Sequence, residues 1–472
     1  MIKFRNCAIT LMALIGAVSV PVQAKDSVPY AEVVFDEVWE TVNDSFYDPN
    51  FGGLDWPAFG VQYREAVLQA QSRAEMNDLL NEMLNALKHS HLRVMDGAGG
   101  LAGLEVEGGV ARVPIQLAMI ENSFFVQSSE FPEVHVGDQI LEVDGRSIET
   151  VLEALEEAGF GETAQLFYAS YVVEASLSGD LGTSVELVVL REGEEMCHTL
   201  KREMRTDTEW VSLPGLPSAQ EISVEFKELD DDIAYLQFSM FAPAIMPEIR
   251  SMIQNLPSDC VGLIIDLRNN PGGTGLMAAG LLGLLVEDHK PAGRMLLRSG
   301  ELAFTGYAQS HAFLGKVAVL IDARSASTSE FFAAAVQDNQ RGQIIGSTSA
   351  GMALASLFKP LRNGSSLQYV VANFERANGA LIEGVGVEPD IYAPWTLDDL
   401  LSGNDPAMTA AVDYILDRMP EDIISAEILA VENSETESSE IESPEGEGVL
   451  EEVDESGLSL EGLIEETSAL EE

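Results

Sequence analysis

The 472-residue chain is poor in cysteine, in basic residues and in long apolar runs. Each scarcity excludes something. Three cysteines, of which Cys7 falls in an N-terminal segment, are too few for a disulfide framework, and no Cys/His spacing resembles a metal site. Cys197 and Cys260 fall in different predicted domains and read as two buried thiols. Lys and Arg number 26 against 78 Asp and Glu, a formal charge of −52. Such a surface repels phosphate backbones and anionic lipid, which argues against nucleic acid and simple membrane adsorption. The charge says little about fold, since a salt-adapted or very soluble protein looks the same. No apolar run reaches the roughly 18 residues a spanning helix needs. Hydrophobic content of 46% still marks a globular chain with room for two or three cores.

The N-terminus has Lys3 and Arg5, an apolar stretch from Cys7 to Val20, and Val22-Gln23-Ala24 before a cleavage point. That pattern predicts a signal peptide over 1–24 and an exported protein, periplasmic or secreted. From 25 to 97 the period is helical, with Val34, Val38, Val42 and Phe46 four apart. From 98 to 206 short strands dominate, with "VDGR" as a hairpin turn and one helix at "IETVLEAL". From 220 to 400 buried strands alternate with helices, which predicts an α/β domain. A helix over 401–420 closes the ordered part. Residues 421–472 carry nineteen acidic side chains and no Lys or Arg, a composition that predicts a disordered, solvating tail with partner binding as the alternative.

Two loops stand out. In "RSASTSEFF", Ser327 lies between an apolar strand and a helix, and Ser327 with Glu330 matches a capping box. The same position offers helix N-terminal amides to a developing oxyanion. "DLRNNPGGTG" ends another buried strand, where Gly272 and Gly273 expose unhindered N–H groups. Gly273 to Ala278 also fits GxGxxA, but no acidic ribose ligand follows, and an exported protein rarely meets nicotinamide cofactors.

Together, "GLIIDLRNNPGG" and "VAVLIDARSASTSEFFAAAVQDNQRGQIIG" resemble the tail-specific, C-terminal processing and tricorn-type serine peptidases. "VGDQILEVDGRSI" resembles part of the PDZ domain many of them carry, and "VWETVNDSFYDPNFGGLDW" their helical N-terminal region. The resemblance implies a ClpP/crotonase-like α/β catalytic domain with a mixed sheet, a helical N-terminal domain and a β-rich PDZ-like domain. It implies Ser327 as nucleophile, with Thr328 and Gly272 or Gly273 as oxyanion donors, a peptide or protein substrate, and neither cofactor nor metal.

The processing branch draws its base from a lysine that falls here on Met352, and a thioether accepts no proton. Lys359, in a Ser356-Leu-Phe-Lys359 match to SxxK, is the nearby amine. The tricorn-type branch uses a histidine preceded by serine and supported by a glutamate, which map onto His91, Ser90 and Glu383. Neutral imidazole, with a reference pKa of about 6.5, is a competent base. His89 is the competing histidine. Gly108 and Gly109 stand near the place of a PDZ carboxylate loop without its spacing. The leading expectation is an exported serine endopeptidase. Its alternatives are an inactive ligand- or peptide-binding protein on the same scaffold, or a Ser–Lys enzyme using Lys359.

Overall fold

The computed structural model describes residues 30–95, 109–204, 209–211 and 220–418. The expected signal peptide and acidic tail lie outside the described residues, as does Gly108.

Three helices open the described chain: Ala31–Ser45, Trp56–Gln69 and Arg73–Asn85. The apolar period of the first buries Val34, Phe35, Val38 and Val42 along one stripe. Asp55 and Ser72 cap the next two, accepting from the amides of Ala58 and Glu75. These helices share a core with Leu354, Leu361, Leu367 and Val370 from far along the chain. That burial carries the following segment to its place. Arg93–Met95 pairs antiparallel with Ser366–Glu375, and Asn81 brackets the Val94 peptide at 2.7 and 3.0 Å.

The α/β part is built on a six-stranded mixed sheet. Its order is Val224–Leu229, Ile233–Phe238, Gly262–Asp266, Lys316–Ile321, Gln343–Gly346 and Ile391–Tyr392. All neighbours are parallel except the first pair. Helices Met246–Gln254, Leu276–Leu282 and Thr328–Asp338 share the core on one face, and Pro406–Ile415 packs on the other. Strands covered on both sides read as unbroken apolar runs. Because Gly262–Asp266 and Lys316–Ile321 are parallel neighbours, the loops after them leave the sheet side by side. Those loops are "LRNNPGGTG" and "DARSAS". A second sheet joins Arg93–Met95, Ser366–Glu375, Lys290–Leu297 and Gly300–Gly306, with Ala355–Pro360 also paired to Ser366–Glu375. The hairpin and Ala355–Pro360 are strands that the sequence pattern does not announce.

The β-rich part orders Ile115–Ile120, Ser123–Ser129, Gln139–Val143, Ser184–Arg191 and Glu194–Lys201 in one sheet. The turn between Val143 and Arg146 has Asp144 and Gly145 at φ of 50° and 75°, as a two-residue hairpin requires. It holds two helices rather than the one expected: Ile148–Glu157 is followed by Glu162–Leu177. The second is apolar on most sides because neighbours cover it from more than one direction. Its Tyr168, Val172 and Val173 share a cluster with Ile115 and Leu117 of the sheet and with Ala326, Ala350 and Met352 of the α/β part. Among the described residues the two cysteines are unpaired; Cys197 is exposed rather than buried, because its side of Glu194–Lys201 faces solvent, and Cys260 is half-buried.

Candidate active site

Ser327 sits where strand Lys316–Ile321 gives way to helix Thr328–Asp338, at φ 54° and ψ −115°. Left-handed backbone at a residue with a Cβ is strained and persists only where its surroundings hold it. Here they do. Its N–H reaches the Met352 carbonyl at 3.0 Å and the Glu330 carboxylate at 2.9 Å. Its hydroxyl stands over the Glu330 amide without a cap hydrogen bond and is partly exposed.

The neighbouring loop is stitched to this elbow by Asn270, which is fully buried. Its carbonyl accepts from the Ala326 N–H at 3.1 Å and the Ser329 hydroxyl at 2.9 Å, and its Oδ1 accepts from Gly272 N–H at 3.0 Å. The Gly272 amide is therefore occupied, contrary to the expectation that it stands free. The N–H groups of Gly273 and Thr328 make no hydrogen bond among the described residues. Gly272 is packed close against the elbow instead. At φ 99°, a Cβ on it would come within 2.7 Å of Ser327 Cβ and the Thr328 nitrogen.

His91 lies two residues before strand Arg93–Met95, also left-handed, at φ 57°. Ser90 Oγ is 2.6 Å from His91 Nδ1 and donates to Glu383 Oε2 at 3.0 Å. Glu383 also accepts from the Ser90 N–H at 2.8 Å and the Ala353 N–H at 2.9 Å. With its hydrogen given to Glu383, Ser90 Oγ can only accept from Nδ1–H, which leaves the Nε2 lone pair free. Burial, reinforced by the nearby Arg93 guanidinium, pushes the His91 pKa down to about 4, so the ring is neutral at pH 7. Burial pushes Glu383 up, against the three hydrogen bonds that favour its charge.

The structure thus links His91 to Glu383 through Ser90, whose hydroxyl meets both. It connects them to Ser327 through one peptide, whose carbonyl (Met352) binds the Ser327 amide and whose N–H (Ala353) binds Glu383. No hydrogen bond joins the Ser327 hydroxyl to His91, whose side-chain partner is Ser90. His89 is engaged at both nitrogens, by Tyr47 at 3.1 Å and the Lys88 carbonyl at 3.0 Å. Lys359 is directed elsewhere, to Thr41 Oγ1 at 2.8 Å. Sequence reasoning missed Asn270, the loop partners of Glu330, and the helix Glu162–Leu177, which sets Tyr168 against the His91 backbone and Glu174 in an ion pair with Arg324. Among the described residues no cluster of metal-ligating side chains occurs, and no helix is long and apolar enough to cross a membrane.

A strained serine elbow beside a glycine loop, on this mixed sheet, defines a serine hydrolase scaffold, and the sequence comparisons agree. Residues 232–393 match peptidase family S41, and residues 30–85 match the tricorn protease C1 domain. Those two stretches of the chain are thus similar to this group of serine peptidases, whose members act on protein or peptide substrates. A carboxyl-terminal-processing protease of Synechocystis sp. is 25% identical over 406 residues, 80% of this chain and 85% of that protein. The fold is similar to that of the photosystem II D1 C-terminal processing protease, with a TM-score of 0.52 at 21% identity, covering 78% of this chain and 94% of that one. It is also similar to that of mature CPAF, with a TM-score of 0.57 at 18% identity, covering 84% and 98%.

Proposed function

We propose that the protein is an exported serine endopeptidase in which Ser327 attacks the substrate carbonyl and His91 takes and returns the proton. Ser90 and Glu383 orient the imidazole and stabilise its charged form. The N–H groups of Thr328 and Gly273 receive the oxyanion, with Gly272 letting the loop approach; each donor contributes on the order of a hundredfold. The observation that carries this reading is the Ser90 hydroxyl, 2.6 Å from His91 Nδ1 and 3.0 Å from Glu383. It gives the ring the tautomer a base needs. Hydrogen bonds from base to nucleophile are often long until substrate is bound, so the unjoined Ser327 hydroxyl fits a resting enzyme. Export rests on the basic, apolar and small-residue pattern of residues 1–24. The β-rich part is read as a PDZ-like module, bearing its second helix against the site.

Ser327→Ala is expected to abolish both peptide cleavage and labelling by a serine-directed phosphonate. Cleavage surviving in that variant removes the nucleophile assignment. Wild-type protein that neither cleaves peptides nor takes the label at any pH is a binding protein on this scaffold.

A further inference from the structure

One turn beyond Ser327, the helix buries a carboxylate completely: Glu330 has no exposed surface. A capping box asks of such a residue one hydrogen bond, from the N-cap amide. Glu330 takes four. Its Oε2 accepts from the amides of Ser327 and Met352, both at 2.9 Å. Its Oε1 accepts from the Gly351 N–H at 2.7 Å and the Ser349 hydroxyl at 2.6 Å. Ser349 Oγ accepts in turn from the Val387 N–H at 2.7 Å.

Three of these four donors are backbone amides, which cannot reverse to accept. An ionised carboxylate satisfies all of them. A protonated one has an O–H to place, and Ser349 is the one partner that could receive it. The groups facing Glu330 are Ser327 from the elbow, Ser349, Gly351 and Met352 from the loop, and Val387 through Ser349; none carries a charge. The nearest titrating groups along the hydrogen bonds are Glu383 and His91, across the 352–353 peptide. Burial raises the Glu330 pKa to about 7, with the four hydrogen bonds opposing the rise. Because the folded value lies above the unfolded one, the ionised form lowers stability as pH rises through 7. An uncharged side chain would avoid that cost, so a helix cap alone does not account for a carboxylate here.

We propose that ionised Glu330 is a positioning residue for the reaction. It ties the Ser327 amide to residues 349–352 and so keeps the nucleophile in register with the Ser90–His91–Glu383 group. Without it, the amides of Gly351 and Met352 lose their acceptor, the Ser327 amide keeps only the Met352 carbonyl, and the loop whose 352–353 peptide spans the two halves of the site is held less firmly. The proposal rests on Ser327 as nucleophile and His91 as base.

The test measures kcat and KM against pH for the full chain, for Glu330→Gln and Ser349→Ala, with Ser327→Ala as control. In the wild type, kcat is expected to fall below a pH of about 7, well above the region near 4 where His91 gains its proton. Ser349→Ala removes a donor to the ionised form and moves that limb upward, by roughly half a pH unit or more. Glu330→Gln sets an amide N–H against backbone N–H groups. It lowers kcat on the order of a hundredfold with little change in KM, and the limb near 7 disappears. If Glu330→Gln does not fold, the movement of the limb in Ser349→Ala decides alone. An inactive Ser327→Ala together with a limb that Ser349→Ala leaves unmoved overturns the role of Glu330 and spares the nucleophile. An active Ser327→Ala overturns both.

Discussion

The amide of Ser327 donates to the carbonyl oxygen of Met352 at 3.0 Å. The residue standing where the processing branch would have its lysine thus meets the backbone of the proposed nucleophile. Its side chain is buried in the cluster formed with the β-rich part, beside Ala326 and Ala350. Met352→Lys is therefore expected to place an ammonium in an apolar contact and not to create a working base. A buried, unpaired charge costs several kcal/mol. A lower Tm with no gain in kcat is the expected outcome; a variant more active than wild type refutes it.

The two histidines of "HSH" have different surroundings. His89 is held by Tyr47 and Lys88, while His91 keeps one nitrogen free. His91→Ala should lower kcat by about a thousandfold or more, as expected for loss of a general base. His89→Ala should stay within about threefold of wild type, because a half-exposed ring bonded only at the edge of the site contributes packing rather than proton transfer. The reverse ranking would move the base to His89.

Removing the orienting pair separates orientation from chemistry. Glu383→Gln puts an amide N–H against the amides of Ser90 and Ala353 or against the Ser90 hydroxyl, all of which now donate to the carboxylate. The Nδ1–H tautomer of His91 then loses its support. A fall in kcat of roughly a hundredfold to ten-thousandfold is expected, with KM nearly unchanged. With kcat referred to active sites counted by phosphonate titration, steady-state kinetics on a fluorogenic peptide distinguish this from general unfolding, which would leave the remaining active fraction with normal kcat.

Gly272 tests the packing of the two loops. Gly272→Ala combines a left-handed φ of 99° with a Cβ that would lie 2.7 Å from Ser327 Cβ. The backbone strain alone is worth roughly 1–3 kcal/mol. The elbow must move to admit the methyl group, so phosphonate labelling should slow markedly while the far-UV circular dichroism is retained.

The depressed pKa of His91 also has a sign in stability. The folded ring takes a proton near pH 4, whereas an unfolded one does so at about 6.5. As pH falls through that window the unfolded chain binds the proton first, so folded stability declines. Glu383 and Glu330, both raised by burial, act in the opposite direction. The Tm of His91→Ala, compared with wild type between pH 7 and 4, should fall less steeply. An identical slope would mean that the ring is not desolvated in the folded protein.

The strand–serine–helix elbow, the glycine loop and the Asp144–Gly145 hairpin could all be read along the chain, since each depends on residues a few positions apart. Helix Glu162–Leu177 could not. Its apolar residues point to more than one neighbour and leave no single stripe to detect. The strands Lys290–Leu297 and Gly300–Gly306 lie in a second sheet that exists only because Ser366–Glu375 pairs with one of them. Glu330 was legible as a cap and not as a hub, because three of its four donors come from residues 349–352.

Read along the chain alone, the information is local. It placed a serine at a helix N-terminus with glycines in a neighbouring turn, and it put methionine where an amine would have served. Which imidazole is joined to Glu383 through Ser90 was set by the folding of distant segments. A helical layer and a strand buried on a distant part of the chain carry His91 across nearly three hundred positions to Glu383. Contacts between such remote residues follow from shared burial of apolar surface, which acts at a distance in sequence and leaves no short-range pattern to read.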